Sequence, residues 1–446
     1  MSTTVDNQPY AVIAGLGTTG LSCARYLRAH GWRLAVTDTR AAPPGLSELT
    51  ALDADIPVRL RGLDPQLLKD AVCVVASPGL ALSDPFFVEA RRLGLEIVGD
   101  IELFARAAQA QVVGITGTNG KSTVTTLLGR MAQRAGLTVR VGGNLGEPAL
   151  DLLDAGTQLY VLELSSYQLE TTKTLQCKAA TVLNVTPDHL DRYPSIESYA
   201  AAKARIFARC DTAVINLDDP LIVAMQKSAR RTLSFSLRAS IGADYAVATL
   251  RGEWWLTRAA APLLPLAALK IKGLHNAANA LAALALGEAL ELPLPVMLEE
   301  LRDFPGLAHR SQWVAEIGAV TYIDDSKGTN VGATLAAVAG LPGHLVMILG
   351  GEGKNQDFSP LAAAFRGKVR HAVLIGRDAP LIARALAGVS TLETCATLPE
   401  AVRAAASAAQ PGDTVLLSPA CASLDMFKDY AHRGAVFAQA VQELAA

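Results

Sequence analysis

Short apolar runs alternate along the chain with glycine-bearing turns and then with Ala/Leu-rich stretches of helical period. The runs YAVIAG (10–15), RLAVTD (33–38) and AVCVVASPG (71–79) read as buried strands, with a helix from the GLGTTG turn at 15–20 to about Ala29. A second set opens with VVGIT (112–116) and passes through GTNGKST (117–123) into a long helix ending near Ala135. LYVLEL (159–164), AATVLNV (179–185) and DTAVINL (211–217) continue it as strands. A third set follows Phe304-Pro305-Gly306, with strands expected at VTYIDD (320–325), HLVMILGG (344–351), HAVLIG (371–376) and DTVLLSP (413–419). Strand, turn and helix in this alternation predict an α/β protein. The expectation is three domains, each an open, mostly parallel sheet covered by helices: a Rossmann-like first unit (1–99), a P-loop central unit (100–306) and a Rossmann-like third unit (307–446).

Composition changes this picture little. The 446 residues suit about three domains of ordinary size. A net charge of −2 gives no electrostatic case for binding nucleic acid or an anionic membrane. The six cysteines (Cys23, Cys73, Cys177, Cys210, Cys395 and Cys421) are scattered and form no CxxC pair, which fits a reducing cytosol better than a disulfide framework or a structural zinc. The polar opening MSTTVDNQPY carries no basic segment, so neither a signal peptide nor a membrane span is expected, and the expected location is cytoplasmic.

Candidate chemistry gathers where strands end. In GTNGKST the chain leaves a strand, wraps and enters a helix at Lys121. Backbone N–H groups and the helix N-terminus then point at one spot and favour phosphate. Lys121 adds a cation for the terminal phosphates, and the Ser122 hydroxyl suits Mg²⁺. The usual phosphate-loop spacing asks for glycine at 115, where this chain has Ile115. GLGTTG with Asp38 at the end of the next strand matches a dinucleotide fingerprint, so a nicotinamide oxidoreductase and a turn that binds nothing both stay open. Thr39 and Arg40 offer donors to a uracil or phosphate instead. Glu163 ends an apolar strand, where a carboxylate needs a cation, either a salt-bridge partner or a metal. His189 follows another strand between Asp188 and Asp191, and Lys203 lies on a helix among small apolar neighbours. Asn276 and Asn279 open a helix, as caps or as readers of a base. AHRS (308–311), DDSKGTN (324–330) and GGEGKN (350–355) put charge beside turns of the third unit, where Lys327 and Lys354 suit an anionic substrate or simple solvation.

GTNGKST, LELSSYQLE, NVTPDHLDRYPS, GLHNAANALAAL, DDSKGTN, GGEGKNQDF and LLSPACASLDMFKDY occur in this order. Together they resemble the Mur ligases of peptidoglycan synthesis from about residue 10 to residue 440, and the GTNGKS form of that family's phosphate loop accommodates Ile115. The resemblance implies an ATP-dependent amide ligase that joins glutamate, as the D-enantiomer, to UDP-N-acetylmuramoyl-L-alanine. It implies that Thr18, Thr19, Asp38, Thr39, Arg40, Ser77, Gly79, Asn144 and His189 contact the UDP-sugar. Gly117, Thr118, Asn119, Gly120, Lys121, Ser122 and Thr123 would hold ATP, with Asn276, Asn279, His309, Arg310, Asp325 and Lys327. Ser122 and Glu163 would bind one Mg²⁺, and His189 and Lys203 a second, Lys203 being carbamylated by CO₂. Lys121, Glu163, His189 and Lys203 would be the catalytic set. Thr329, Lys354, Ser423, Leu424 and Tyr430 match the glutamate site, with Tyr430 standing where phenylalanine is expected and Glu352 where aspartate is expected. A monomer working on small molecules is the expected state. The competing readings are a sister ligase for another amino acid, a folate-polyglutamate ligase sharing the loop, a nicotinamide enzyme, and a nucleotide-binding switch without synthetic chemistry.

Overall fold

The computed structural model describes residues 8–225 and 230–445; the first seven residues of the polar opening lie outside them. Strands β1 (Tyr10–Ala14), β2 (Arg33–Asp38), β3 (Val58–Leu60), β4 (Cys73–Ala76) and β5 (Glu96–Val98) form an all-parallel sheet in the order β3-β2-β1-β4-β5. Chain order switches between β1 and β4, so the turns at 15–20 and 77–79 leave the two strands that flank the crevice. Glycine at 15 is what lets these turns touch. Its φ is +91°, and a Cβ there would come within 2.7 Å of Ser77 Cβ.

The central sheet holds β6 (Gln111–Thr116), β7 (Val139–Gly143), β8 (Leu159–Glu163), β9 (Cys177–Val182), β10 (Cys210–Asn216), β11 (Arg231–Ser236), β12 (Tyr245–Leu250), β13 (Glu253–Arg258) and β14 (Ala261–Pro265). Its order is β14-β13-β12-β11-β10-β9-β6-β8-β7, parallel from β7 to β12 and antiparallel beyond. The antiparallel extension is absent from the sequence expectation. It rests on a two-residue turn, Arg251-Gly252, in which both residues have positive φ (52° and 85°), the geometry that matches strand twist in a tight hairpin.

In the third unit β15 (Gln312–Ile317) runs antiparallel to β16 (Val320–Asp324). β17 (Leu345–Gly350), β18 (Val369–Ile375), β19 (Thr391–Thr394) and β20 (Thr414–Leu417) complete a sheet ordered β15-β16-β20-β17-β18-β19. Across these sheets the main strands expected from sequence appear, with ends that match or shift by at most three residues.

Packing divides the molecule unequally. The first and central units share one apolar core, in which Leu21 and Leu27 belong to the same cluster as Phe104, Tyr160 and Leu162. The Ser22 hydroxyl and Arg25 also bond Asp151 across that junction, at 2.8 and 2.7 Å. The third unit keeps its own cores and meets the central unit at the site largely through polar side chains. All six cysteines are free, and no helix among the described residues is long and apolar enough to cross a membrane.

One buried cation organises the third unit's strand ends. Arg433, on the helix Tyr430–Ala445, is fully buried; it donates to Ser326 Oγ and Ser326 O at 3.0 and 2.7 Å and to Cys421 O at 3.1 Å. It thereby fastens the turn after β16 to the turn after β20. Burial draws its guanidinium down to about 10. Arg433→Met should leave those acceptors unsatisfied and cost about 3 kcal/mol of stability. Thermal unfolding checks this, and an unchanged Tm would show that the clamp is dispensable.

Candidate active site

The phosphate loop follows β6, which lies between β8 and β9 in its sheet. Gly120 takes a left-handed conformation (φ 82°) and caps the helix Lys121–Arg134, whose N-terminus faces the loop. Ile115 is fully buried core, and the bend is carried by Gly117 (φ 152°) and Gly120. Asn184, just beyond β9, staples the loop. Its Oδ1 accepts the Asn119 N–H at 2.8 Å, and its Nδ2 donates to Asn119 O at 3.0 Å. Lys121 Nζ donates to Gly117 O and Thr118 O, each at 2.9 Å. Lys203, buried on the helix Ile196–Ala204, donates to the same Gly117 O at 2.9 Å.

Two ammonium groups on one carbonyl oxygen is an unusual load. Burial, and then the neighbouring Lys121, draw the Lys203 amine well below the usual lysine range. Lys121 is lowered chiefly by burial, against the pull of Glu163. Arg310 is brought in from the third unit, donates to Ser122 Oγ at 2.8 Å, and is also lowered by burial. Lys327 is drawn by burial down to about 8, and its Nζ sits 3.6 Å from the centre of the Tyr430 ring.

The acidic side of the site is small. Glu163 ends β8, paired with Ile115 on one side and Gly143 on the other. Asn144 donates to its Oε1 at 2.7 Å, while Oε2 is buried without a hydrogen-bond partner. Burial pushes this carboxyl up, but Lys121, Ser122, Asn144 and Arg310 outweigh it and hold it below the usual glutamate range. An ionised oxygen with no donor, next to the Ser122 hydroxyl, suits a divalent cation. His189 (φ 56°) lies in the loop after β9, with its ring 5.0 Å from Tyr167 and 6.1 Å from Tyr199. Lys203 Nζ lies 4.3 Å from the same Tyr199 ring. Burial lowers the His189 imidazole.

Thr18, Thr19, Asp38, Thr39, Arg40, Ser77, Gly79 and Asn144 line one cavity of about 550 Å³ between the first and central units. His189 is not among its lining residues. Asp38 is fully engaged. Its Oδ2 accepts Leu16 N–H at 2.6 Å and Arg40 Nη2 at 2.7 Å, and its Oδ1 accepts Arg40 Nε at 2.9 Å. That carboxylate fixes Arg40 and leaves no oxygen for the ribose hydroxyl that a nicotinamide dinucleotide would present.

A second cavity lies between the central and third units. Asn119, Gly120, Thr123, Asn276, Asn279, Arg310, Asp325 and Lys327 line it, together with Asn184, Phe235 and His275. Asn276 and Asn279 are not caps, since Gly273 caps their helix; Asn279 Nδ2 donates to Asn276 Oδ1 at 3.1 Å. Burial raises Asp325 to about 6, where Ser418 and the Ser311 N–H bond it. His309 is not among these lining residues; its Nδ1 is held on Asp324 Oδ2 at 2.6 Å. Of the residues expected at glutamate, Thr329 and Lys354 lie near the seam with the central unit, and Lys354 Nζ pairs with Asp188 Oδ1 at 2.6 Å. Ser423 is buried, Leu424 is exposed, and Tyr430 carries Lys327 on its ring. Glu352 accepts from Arg377 at 2.9 Å at the rim.

Sequence reasoning missed Asn184, Asp188 as an ion-pair partner, His275 and Asn330. Asn184 and Asp188 stand just past a strand's carboxyl end, a position that could have flagged them; the contacts of His275 and Asn330 depend on how the units meet.

Comparison with known proteins agrees with this geometry. Residues 9–99 match the family model described as Mur ligase MurD-like, N-terminal domain; 115–287 match the Mur ligase middle domain; and 309–421 match the Mur ligase, glutamate ligase domain. A protein of Methylococcus capsulatus named UDP-N-acetylmuramoylalanine--D-glutamate ligase is 51% identical over 441 residues, covering 99% of this chain and 96% of its own. One of the same name from Pseudomonas aeruginosa is 50% identical over 440 residues, covering 98% of each. Among solved structures, a pseudomurein peptide ligase type C from Methanothermus fervidus superposes with a TM-score of 0.63 at 18% identity, covering 98% of this chain and 100% of its own. The UDP-N-acetylmuramate-alanine ligase of Thermotoga maritima gives 0.61 at 19% identity with the same coverage, a likeness of fold. Three consecutive domain matches and full-length relatives at half identity make the chain a member of the Mur ligase family.

Proposed function

We propose that this protein is an ATP-dependent ligase that adds D-glutamate to UDP-N-acetylmuramoyl-L-alanine through an acyl phosphate, in peptidoglycan precursor synthesis. The observation that carries this reading is the convergence on one phosphate loop of Lys121, Lys203, Arg310 and Lys327 with an unpartnered Glu163 oxygen. That loop sits between a cavity suited to a UDP-sugar and a third unit that brings its own cations. The names of the full-length relatives support the choice of substrates.

A carboxylate does not condense with an amine at neutral pH until it is activated. The alanyl carboxylate attacks the γ-phosphorus of ATP, the P–O bond to ADP breaks, and an acyl phosphate forms. Two anions approach in this step. Lys121 leaves its loop carbonyls for the phosphates, and Arg310 reaches them from the third unit, so both offset the repulsion. Mg²⁺, which ligases of this family use with ATP, would be held by Glu163 and Ser122, and by His189 with Lys203, and supplies further charge neutralisation. Asp38 locks Arg40 toward the UDP end, which fixes where the sugar's acid arm reaches. The glutamate amine then attacks the acyl carbon and phosphate leaves. Thr329, Lys354, Ser423, Leu424 and Tyr430 shape the glutamate pocket, and Lys354 offers the cation for a side-chain carboxylate. Both cavities are lined by one chain, and we infer that a monomer suffices.

Lys203 fits carbamylation on chemical grounds. A depressed pKa leaves the amine free to attack CO₂, forming an N–C bond and releasing a proton. The product is an anion, which also offsets the neighbouring Lys121 ammonium. Lys203→Ala should cut the rate at least about a hundredfold, and added short carboxylic acids should restore part of it; an unaffected variant would dismiss the carbamate. Lys121→Ala should reduce ADP formation by about a thousandfold or more while UDP-sugar binding stays within about twofold. Persistent turnover would refute the phosphate-loop assignment. The substrate reading is tested by phosphate release with ATP, UDP-N-acetylmuramoyl-L-alanine and each glutamate enantiomer. Release with the D-enantiomer alone is expected, and equal release with L-glutamate or with no amine would contradict it.

A further inference from the structure

Asn330 is the N-cap of the helix Val331–Gly340 in the third unit and is 2% exposed. Its amide does more than cap. Oδ1 accepts the Ala333 N–H at 2.8 Å and also faces Asn119 Nδ2 at 3.3 Å. Nδ2 faces Asn119 Oδ1 at 3.2 Å and Asp188 Oδ2 at 3.2 Å. Every hydrogen-bonding position of one buried amide is therefore used, three of the four on the central unit. Asn119 is the tip of the phosphate loop, held from behind by Asn184. Asp188 carries Lys354 on its other oxygen at 2.6 Å. The connection thus runs from the phosphate loop, through Asn119 and Asn330, to Asp188 and Lys354. Gly332 is part of the same seam: a Cβ there would meet Thr186 Oγ1 at 2.9 Å, so the helix start lies directly on the central unit.

We propose that Asn330 is a positioning residue that registers the third unit on the tip of the phosphate loop, so that the glutamate pocket is assembled against the loop that forms the acyl phosphate. Only an amide serves here. The site asks for an acceptor toward Ala333 and two donors, toward Asn119 and Asp188, at once, and no other short side chain carries an acceptor with two donors. Without the bridge, the acyl phosphate forms beside an ill-placed amine, and water consumes it. The proposal rests on the ligase reading for its kinetic consequences, and on the contacts alone for its structural one.

Two substitutions separate bridging from capping, because Asp and Ser both keep a good N-cap. Asn330→Asp loses the donors and sets a carboxylate against Asp188; Asn330→Ser removes the bridge without adding charge. In the full chain, both should raise the glutamate KM about tenfold or more and raise ADP formed per amide bond above one. Tm and UDP-sugar affinity should stay near wild type. Small-angle scattering with a non-hydrolysable ATP analogue gives a readout that needs no ligase activity: the variants should stay more extended than wild type. If both variants keep the wild-type KM, stoichiometry and radius of gyration, the proposal is overturned. It is equally overturned if they lose only kcat and Tm together, which is the mark of a cap. A wild-type protein that forms no amide product refutes the ligase reading instead, and the scattering comparison then decides the seam by itself.

Discussion

The structure turns on an imbalance of buried charge. Around Gly117 O and Ser122 the fold gathers two lysines and an arginine, against the carboxylates of Glu163 and Asp188. Desolvated cations with too few anions raise the energy of the site, and burial pushes the pKa of each down. A polyphosphate with its metal relieves that imbalance. In the proposed reading, conversion of Lys203 to a carbamate anion would relieve the same imbalance, so that binding and modification would share one electrostatic cause.

That cause is placed by architecture. Carboxyl ends of β6, β8 and β9 bring the glycine loop, Glu163 and Asn184 to one edge of the central sheet. The first unit is fused to this edge through a shared apolar core, so the cavity proposed for the UDP-sugar and the phosphate loop keep a fixed distance. The third unit is joined to the loop through side chains such as Arg310, Asn330 and Lys354. Polar seams form and part at lower cost than apolar cores, which suits a unit that must admit an amino acid and then exclude water. Rigidity on one side and a releasable contact on the other match a reaction with a tethered acid and an incoming amine.

Much of this was legible in the sequence where chemistry and strand pattern coincide. The strands ending in Glu163 and leading into Lys121 were read correctly because apolar runs broken by Gly or a carboxylate have few other meanings. The strand, turn and helix alternation likewise implied three covered sheets. The hairpin at 245–265 escaped because its turn, Arg251-Gly252, lacks the usual Asn-Gly signature. The role of Asp188 escaped for another reason. Its partner, Lys354, lies 166 residues away, and only the docking of two units joins them. Asn330 is the same kind of case, a bridge only once the units meet. His309 shows the reverse, since a histidine expected at the nucleotide is turned onto Asp324.

The central claim is that the acid, not water, attacks the triphosphate. Supplying UDP-N-acetylmuramoyl-L-alanine with ¹⁸O in its alanyl carboxylate, together with ATP and D-glutamate, tests this directly by mass spectrometry of the released phosphate. One labelled oxygen in each phosphate is the predicted result, because the carboxylate oxygen that attacks phosphorus leaves with it. Phosphate carrying no label, formed alongside amide product, would contradict the account.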